Sequence, residues 1–217
     1  VLATVNGYEG PSGFYGRPAL VEFSPDGRML ALSGPKAFVN LYEAETGRLL
    51  YTLSTKREGG LDAFSFSPDS RTLVTYHNRS TQVWDTETGA LRRTLKKSST
   101  DSVAFSPDSL LLATCGGNAS ARLWDVQTGK LVRELTKSEK ETHYVAFSPE
   151  GRLLLTASDA GVRLWDVASG EQAAALTGSR FPARFSADGL RLATGGNERR
   201  PPTSTNLVQS CKFKVPS

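Results

Sequence analysis

"FSPDSLLLATCGGNASARLWDVQTG", Phe105 to Gly129, decides the fold because both of its ends recur along the chain. Its opening returns as FSPDG at Phe23, FSPDS at Phe66, FSPEG at Phe147 and FSADG at Phe185, at steps of 43, 39, 42 and 38 residues. Its close returns as LYEAETG from Leu41, VWDTETG from Val83 and LWDVASG from Leu164. Two motifs held in phase at a period of about 40 residues mark a repeat protein, in which each repeat is one supersecondary unit.

Each unit reads as four short strands. SVAF (Ser102 to Phe105) alternates and runs into Ser-Pro-Asp, where Pro107 presets φ at the first central turn position and Asp108 suits the second. LLLAT (Leu110 to Thr114) is a nearly continuous apolar run, as expected of a strand buried on both faces. ARLWDV (Ala121 to Val126) is the third strand, and Thr128-Gly129 supplies the next reversal, with glycine tolerating positive φ. LVREL (Leu131 to Leu135) alternates again, as an outer strand with one wet face should. Four antiparallel strands per unit, arrayed radially, is the propeller solution to unpaired sheet edges.

These residues resemble the WD-repeat (WD40) family, whose blades end in Trp-Asp: Trp84-Asp85, Trp124-Asp125 and Trp165-Asp166 match outright, and Tyr42-Glu43 is a softened copy. The resemblance implies an all-β propeller built of four-stranded antiparallel blades. The expected blades are about 17–54, 55–96, 97–136 and 137–177, with a partial fifth at 178–197, a Gly-rich lead-in at 1–16 and an irregular tail at 198–217. In that tail Pro201-Pro202 cannot donate ladder hydrogen bonds, so no third strand is expected there, although CKFKVP (Cys211 to Pro216) has the alternation of a late strand. Four and a half repeats make an incomplete ring. The chain begins with valine and carries no basic-then-apolar leader, so it reads as a fragment.

The chain departs from the family at the Gly-His dipeptide, which is absent throughout. His143 lies four residues before Phe147, too near to be that histidine. The turn aspartate that the family pairs with it, six residues before the aromatic, is Lys36, Asn78 and Asn118 in the first three units and survives as Asp159 in the fourth. Each blade thereby lacks a polar lock of roughly 1 to 3 kcal/mol, and more of the stability falls to apolar packing.

Composition narrows the function. The net charge is +4, but residues 198–217 carry +3 of it and leave +1 for residues 1–197, so the basic balance does not point to nucleic acid. No apolar run is long enough to span a bilayer. Cys115 and Cys211 lie far apart in sequence and read as free thiols in a reducing compartment, which places the protein in the cytoplasm with the nucleus left open. The two histidines, His77 and His143, belong to no nucleophile elbow and no metal-ligand cluster. The GGN stretches at Gly116 and Gly195 are turns in phase with the repeat rather than phosphate-binding loops. No catalytic residue, cofactor, metal or small-molecule substrate is expected, and the chain reads as a non-enzyme.

The resemblance implies a scaffold that gives protein partners a docking platform in a larger assembly. Partners of the family commonly dock on the rim formed by the loops that enter each first strand and those between second and third strands. The residues expected there are Asp62, His77, Lys96, Lys97, Asp101, His143, Tyr144, Ser158 and Arg180. The lysines of this rim read first as ordinary solvated charge and second as a mildly basic docking surface for an acidic peptide. RNA ranks behind protein as a partner, because only Tyr76 and Tyr144 lie near enough to stack bases. Degenerate Gly-His positions also resemble propellers of the initiation factor 2A kind, which keeps a translation- or RNA-associated role as the alternative, beside a regulatory propeller attached to a larger enzyme.

Overall fold

The computed structural model describes residues 20–33, 38–54, 61, 63–77, 80–95, 100–116, 120–135, 141–176 and 180–195; the side chains of His77, Ser120, Arg180 and Phe181 lie outside that description. All regular structure in the described residues is β, and no helix there is long and apolar enough to cross a membrane, which leaves β-barrels unaddressed. The strands form consecutive antiparallel meanders, the repeating pattern of propeller blades.

The first sheet is β1 (Val21–Phe23), β2 (Met29–Ser33), β3 (Phe38–Glu43) and β4 (Leu49–Ser54). The second is β5 (Ala63–Phe66), β6 (Thr72–His77), β7 (Ser80–Asp85) and β8 (Leu91–Leu95). The third is β9 (Ser102–Phe105), β10 (Leu111–Gly116), β11 (Ser120–Asp125) and β12 (Leu131–Glu134). The fourth is β13 (Thr142–Phe147), β14 (Leu153–Ser158), β15 (Gly161–Asp166) and β16 (Gln172–Leu176), and β17 (Arg180–Phe185) pairs with β18 (Leu192–Gly195).

The recurrent Phe-Ser-Pro-Asp stretch folds as its residue types dictate. The carbonyl of Ser106 accepts the Ser109 N–H at 2.9 Å, so Pro107 and Asp108 occupy the two central turn positions. The Ser106 hydroxyl donates to Asp108 Oδ1 at 2.5 Å and accepts the Leu111 N–H at 2.8 Å, which joins the turn to the next strand. The same arrangement is built on Ser24, Ser67 and Ser186. The residue closing the turn takes a left-handed φ, at Gly27, Gly151 and Gly189 but also at Ser70 and Ser109, where a side chain is carried at 63°. Leu110, expected to begin the buried second strand, instead lies in this turn and is 65% exposed; β10 starts one residue later.

The chain divides into two compact units, residues 1–98 and 99–217. In the first, Ala31, Val39, Leu41 and Leu53 of one sheet share a core with Phe64, Phe66, Leu73 and Trp84 of the next. Two polar contacts tie the same sheets: Glu22 Oε1 accepts the Phe66 N–H at 3.3 Å, and Ser70 Oγ accepts the Asp26 N–H at 3.1 Å. In the second unit, Ala113, Cys115, Ala121, Leu123 and Leu135 pack with Val145, Leu154 and Trp165, while Leu155, Ala157, Val162 and Leu164 pack with Ala183 and Leu192. Buried faces therefore meet sheet against sheet, which is how repeat units that cannot bury an apolar face alone become stable.

Each Trp-Asp pair does two jobs. The carboxylates of Asp85, Asp125 and Asp166 accept the N–H of Thr88, Thr128 and Ser169 at 2.8, 2.6 and 2.8 Å and so shape the reversal that follows. The indoles of Trp84, Trp124 and Trp165 are buried and donate Nε1–H to the hydroxyls of Thr75, Thr114 and Thr156 at 3.0, 2.9 and 2.9 Å. Each indole thus retains a polar partner inside its own sheet, although the family's Gly-His is missing. Asp159, the turn aspartate that survives in the fourth blade, is an exposed turn residue whose side chain is 65% accessible.

Candidate functional site

Strand entry and strand crossing meet at one edge of the second unit. Asp101 stands immediately before β9, with its N–H bonded to the Cys115 carbonyl at 2.7 Å, and Ser158 and Asp159 close β14. Thr142 pairs with Ser158 and Tyr144 with Ala157, so the register slips at His143, which occupies a β-bulge. A bulge inserts one residue without a ladder partner and turns its side chain away from the regular alternation.

His143 lies between two carboxylates as a result. Nδ1 is 3.7 Å from Asp101 Oδ2 and Nε2 is 4.0 Å from Asp159 Oδ2. Both distances exceed direct hydrogen-bond length, and all three side chains are at least 39% accessible, so they offer charge and hydrogen-bonding groups to solvent. Next along the strand, the Tyr144 ring lies under the guanidinium of Arg184 from β17, with the cation 6.0 Å from the ring centroid.

Behind this rim the chemistry is closed. Ser158, expected from its loop position to face a partner, is instead 6% exposed, donates to the Gly161 carbonyl at 3.3 Å and accepts the Ala160 N–H at 3.2 Å. Its hydroxyl shapes the β14–β15 turn because that turn leaves polar backbone groups to satisfy. Burial, reinforced by the nearby Asp101 charge, pushes the Cys115 thiol well above the ordinary cysteine range, so it stays protonated and unreactive. Among the described residues no group of three or more His, Cys, Asp or Glu is placed to hold a metal ion.

Of the residues expected on the rim, Asp101, His143 and Tyr144 come together here. Asp62, Lys96 and Lys97 lie outside the described residues. His77 ends β6 and Arg180 begins β17, but their side chains are not described. Asp159 and Arg184 join the rim without a sequence signal that assigns them to it. The repeat pattern marks the first only as a turn aspartate, and nothing in the local pattern brings the second to Tyr144.

Comparison with known proteins places the repeats in context. The family model for eukaryotic translation initiation factor eIF2A matches residues 37–171. Transducin beta-like protein 3 of Bos taurus is 32% identical over 127 residues, which is 56% of this chain and 16% of that protein. The chain therefore spans 16% of the length of the curated relative it matches.

Proposed function

Because the chain belongs to the family of eukaryotic translation initiation factor eIF2A, we propose that it is a non-enzymatic WD-repeat platform that holds protein partners in the translation initiation machinery. The observation that carries this reading is the rim of the second unit, where Asp101 beside β9 of the third sheet and His143, Tyr144 and Asp159 of the fourth present varied polar groups while Ser158 and Cys115 are withdrawn from chemistry. Surface display of a few charged and aromatic side chains favours recognition and association rate over bond-making. Membership of that family supports a role in translation, and the cytoplasm is the compartment that goes with such a role.

Sucrose-gradient sedimentation of cell extract tests it. The wild-type chain is expected to travel with small ribosomal subunits or initiation complexes, and the double variant Asp101→Lys with His143→Glu to remain at the top of the gradient. Wild type at the top, or both proteins travelling alike, refutes the reading.

One observation favours a second reading, direct contact with RNA: Tyr144 and Arg184 already form an aromatic and cationic pair on that rim. Filter retention of single-stranded RNA that declines steeply with salt and is lost in Tyr144→Ala supports it; salt-insensitive or absent retention eliminates it.

A further inference from the structure

The carboxylate that ends the third strand is held by an arginine of its own sheet in the first, second and fourth sheets. Glu43 pairs with Arg48, whose Nε lies 3.4 Å from Oε2. Arg92 Nε donates to Asp85 Oδ2 at 2.9 Å, and Arg152 Nε lies 3.8 Å from Asp166 Oδ2. The three arginines reach their carboxylates from three different places: the turn after the third strand, the outer strand, and the end of the hairpin turn before the second strand.

The third sheet has no arginine at any of these places. Lys130 stands where Arg48 does, Val132 where Arg92 does and Leu110 where Arg152 does. Asp125 Oδ1 accepts the N–H and the hydroxyl of Thr128 at 2.6 and 2.7 Å, and among the described residues no side-chain cation forms an ion pair with this carboxylate. Those bonds from Thr128 hold its carboxyl below the usual carboxylate range, with the Lys130 charge the last contributor, so the group is ionised at neutral pH.

The surface beside that charge is apolar. Leu110 is 65% exposed and Val132 51%. The Val126 N–H donates to the Leu110 carbonyl and the Asp125 N–H to the Lys130 carbonyl, each at 3.0 Å, which fixes the two apolar residues on opposite sides of the end of β11. The turns at this end of the sheet, 106–110 and 126–130, are described throughout. The stretches 117–119 and 136–140 join strands at the opposite end, where Asp101 also lies.

We propose that Asp125, flanked by Leu110 and Val132, is a docking site for an arginine of a protein partner, with an apolar residue next to that arginine. The partner's guanidinium takes the place that Arg48, Arg92 and Arg152 hold in the other sheets. A planar guanidinium meets a carboxylate through two parallel N–H bonds, which a lysine cannot reproduce. Leu110 and Val132 cover the hydrocarbon stem and the adjoining partner residue, and by excluding water they strengthen the charged pair. The site lies at the other end of the third sheet from Asp101, so its failure leaves the proposed function untouched.

The probe is the peptide Ser-Leu-Arg-Leu-Ser, titrated into the isotope-labelled full chain and followed by backbone amide shifts. Saturable shifts are expected at Leu110 and from Asp125 to Val132. The same peptide with citrulline, which keeps the shape of arginine and loses its charge, is expected to bind about tenfold more weakly, as is the arginine peptide to Asp125→Asn. Val132→Arg rebuilds the arrangement of the second sheet and fills the carboxylate from within. It is expected to abolish binding while the amide spectrum stays that of a folded chain, which separates occupancy of the site from loss of folding. Absence of saturable shifts in the wild-type chain overturns the proposal, as does equal affinity for the two peptides or unchanged binding to Val132→Arg. Binding that appears only in Lys130→Ala, or only after removal of residues 198–217, also overturns it, by assigning the carboxylate to a cation of the chain itself.

Discussion

Arg133 of β12 lies across Gly170 of the next sheet. Its guanidinium donates to the carbonyls of Ala168 and Ser169 at 2.7 Å each, and a Cβ on Gly170 would collide with the arginine stem. In the first unit, Tyr51 of β4 has the same relation to the second sheet: its hydroxyl donates to the Glu87 carbonyl at 2.5 Å, and a Cβ on Gly89 would meet the ring at 2.5 Å. The glycines of these two turns, Gly89 and Gly170, thus serve twice, by adopting positive φ and by admitting a side chain from the preceding sheet.

Gly170→Ala is therefore expected to cost more than Gly27→Ala. Gly27 has φ 72° and open space where a Cβ would stand, so its replacement carries only the left-handed penalty of about 1 kcal/mol. Gly170 has φ 77° and must also displace Arg133, for about 2 kcal/mol in all. Urea denaturation measures both. In an Arg133→Ala background the excess at Gly170 should disappear, and an unchanged excess would show that Arg133 is not its source.

Thr114→Val should destabilise the protein by about 1 to 2 kcal/mol, because Trp124 Nε1 is left unpaired inside the sheet. Thermal unfolding followed by tryptophan emission reads this loss. The same change at Thr194 is expected to alter stability much less, since all three indoles of this chain are bonded elsewhere.

Acid should unfold the hairpin turns in a predictable direction. Hydrogen bonds from Ser106 and then the Leu110 N–H hold Asp108 below the usual carboxylate range, and Ser24 and Ser186 act likewise on Asp26 and Asp188. With the folded value lowered, the stabilisation is present above the unfolded value of about 3.9 and is lost as pH falls through the folded one. Ser106→Ala should flatten the fall in urea midpoint between about pH 4 and pH 2. An identical slope in the variant would exclude this turn as a contributor.

Glu22 has the opposite sign. Burial raises its carboxyl above the ordinary glutamate range despite the bond from the Phe66 N–H, so its ionisation opposes folding above that range. Glu22→Gln keeps a carbonyl acceptor and removes the charge. The melting temperature should rise at neutral pH, and the gain should vanish below about pH 4, where wild-type Glu22 is itself protonated. A loss of stability at neutral pH would show that the charge is needed.

Turn chemistry and period were legible because they are local. Pro107 and Asp108 specify their turn positions by φ and by side-chain hydrogen bonding to the neighbouring backbone, and the repeat spacing then implies the meander. The left-handed serines were not legible, since Ser70 and Ser109 hold positions that three other turns give to glycine. The rim was only partly legible. Asp101, His143 and Tyr144 could be placed at a strand entry from their phase in the repeat, whereas the approach of Asp159 to His143 depends on a bulge with no composition signature.

Sequence alone determined that this is an all-β repeat chain of antiparallel four-stranded sheets, because alternation, turn residues and period act over a few neighbouring positions. Tertiary structure decided which polar groups meet: each tryptophan with its threonine, Arg133 with the turn before Gly170, and His143 with two carboxylates. Those pairings join residues on different strands, and the distance between them is set by strand register and by the stacking of one sheet on the next, neither of which is encoded in a short stretch of chain.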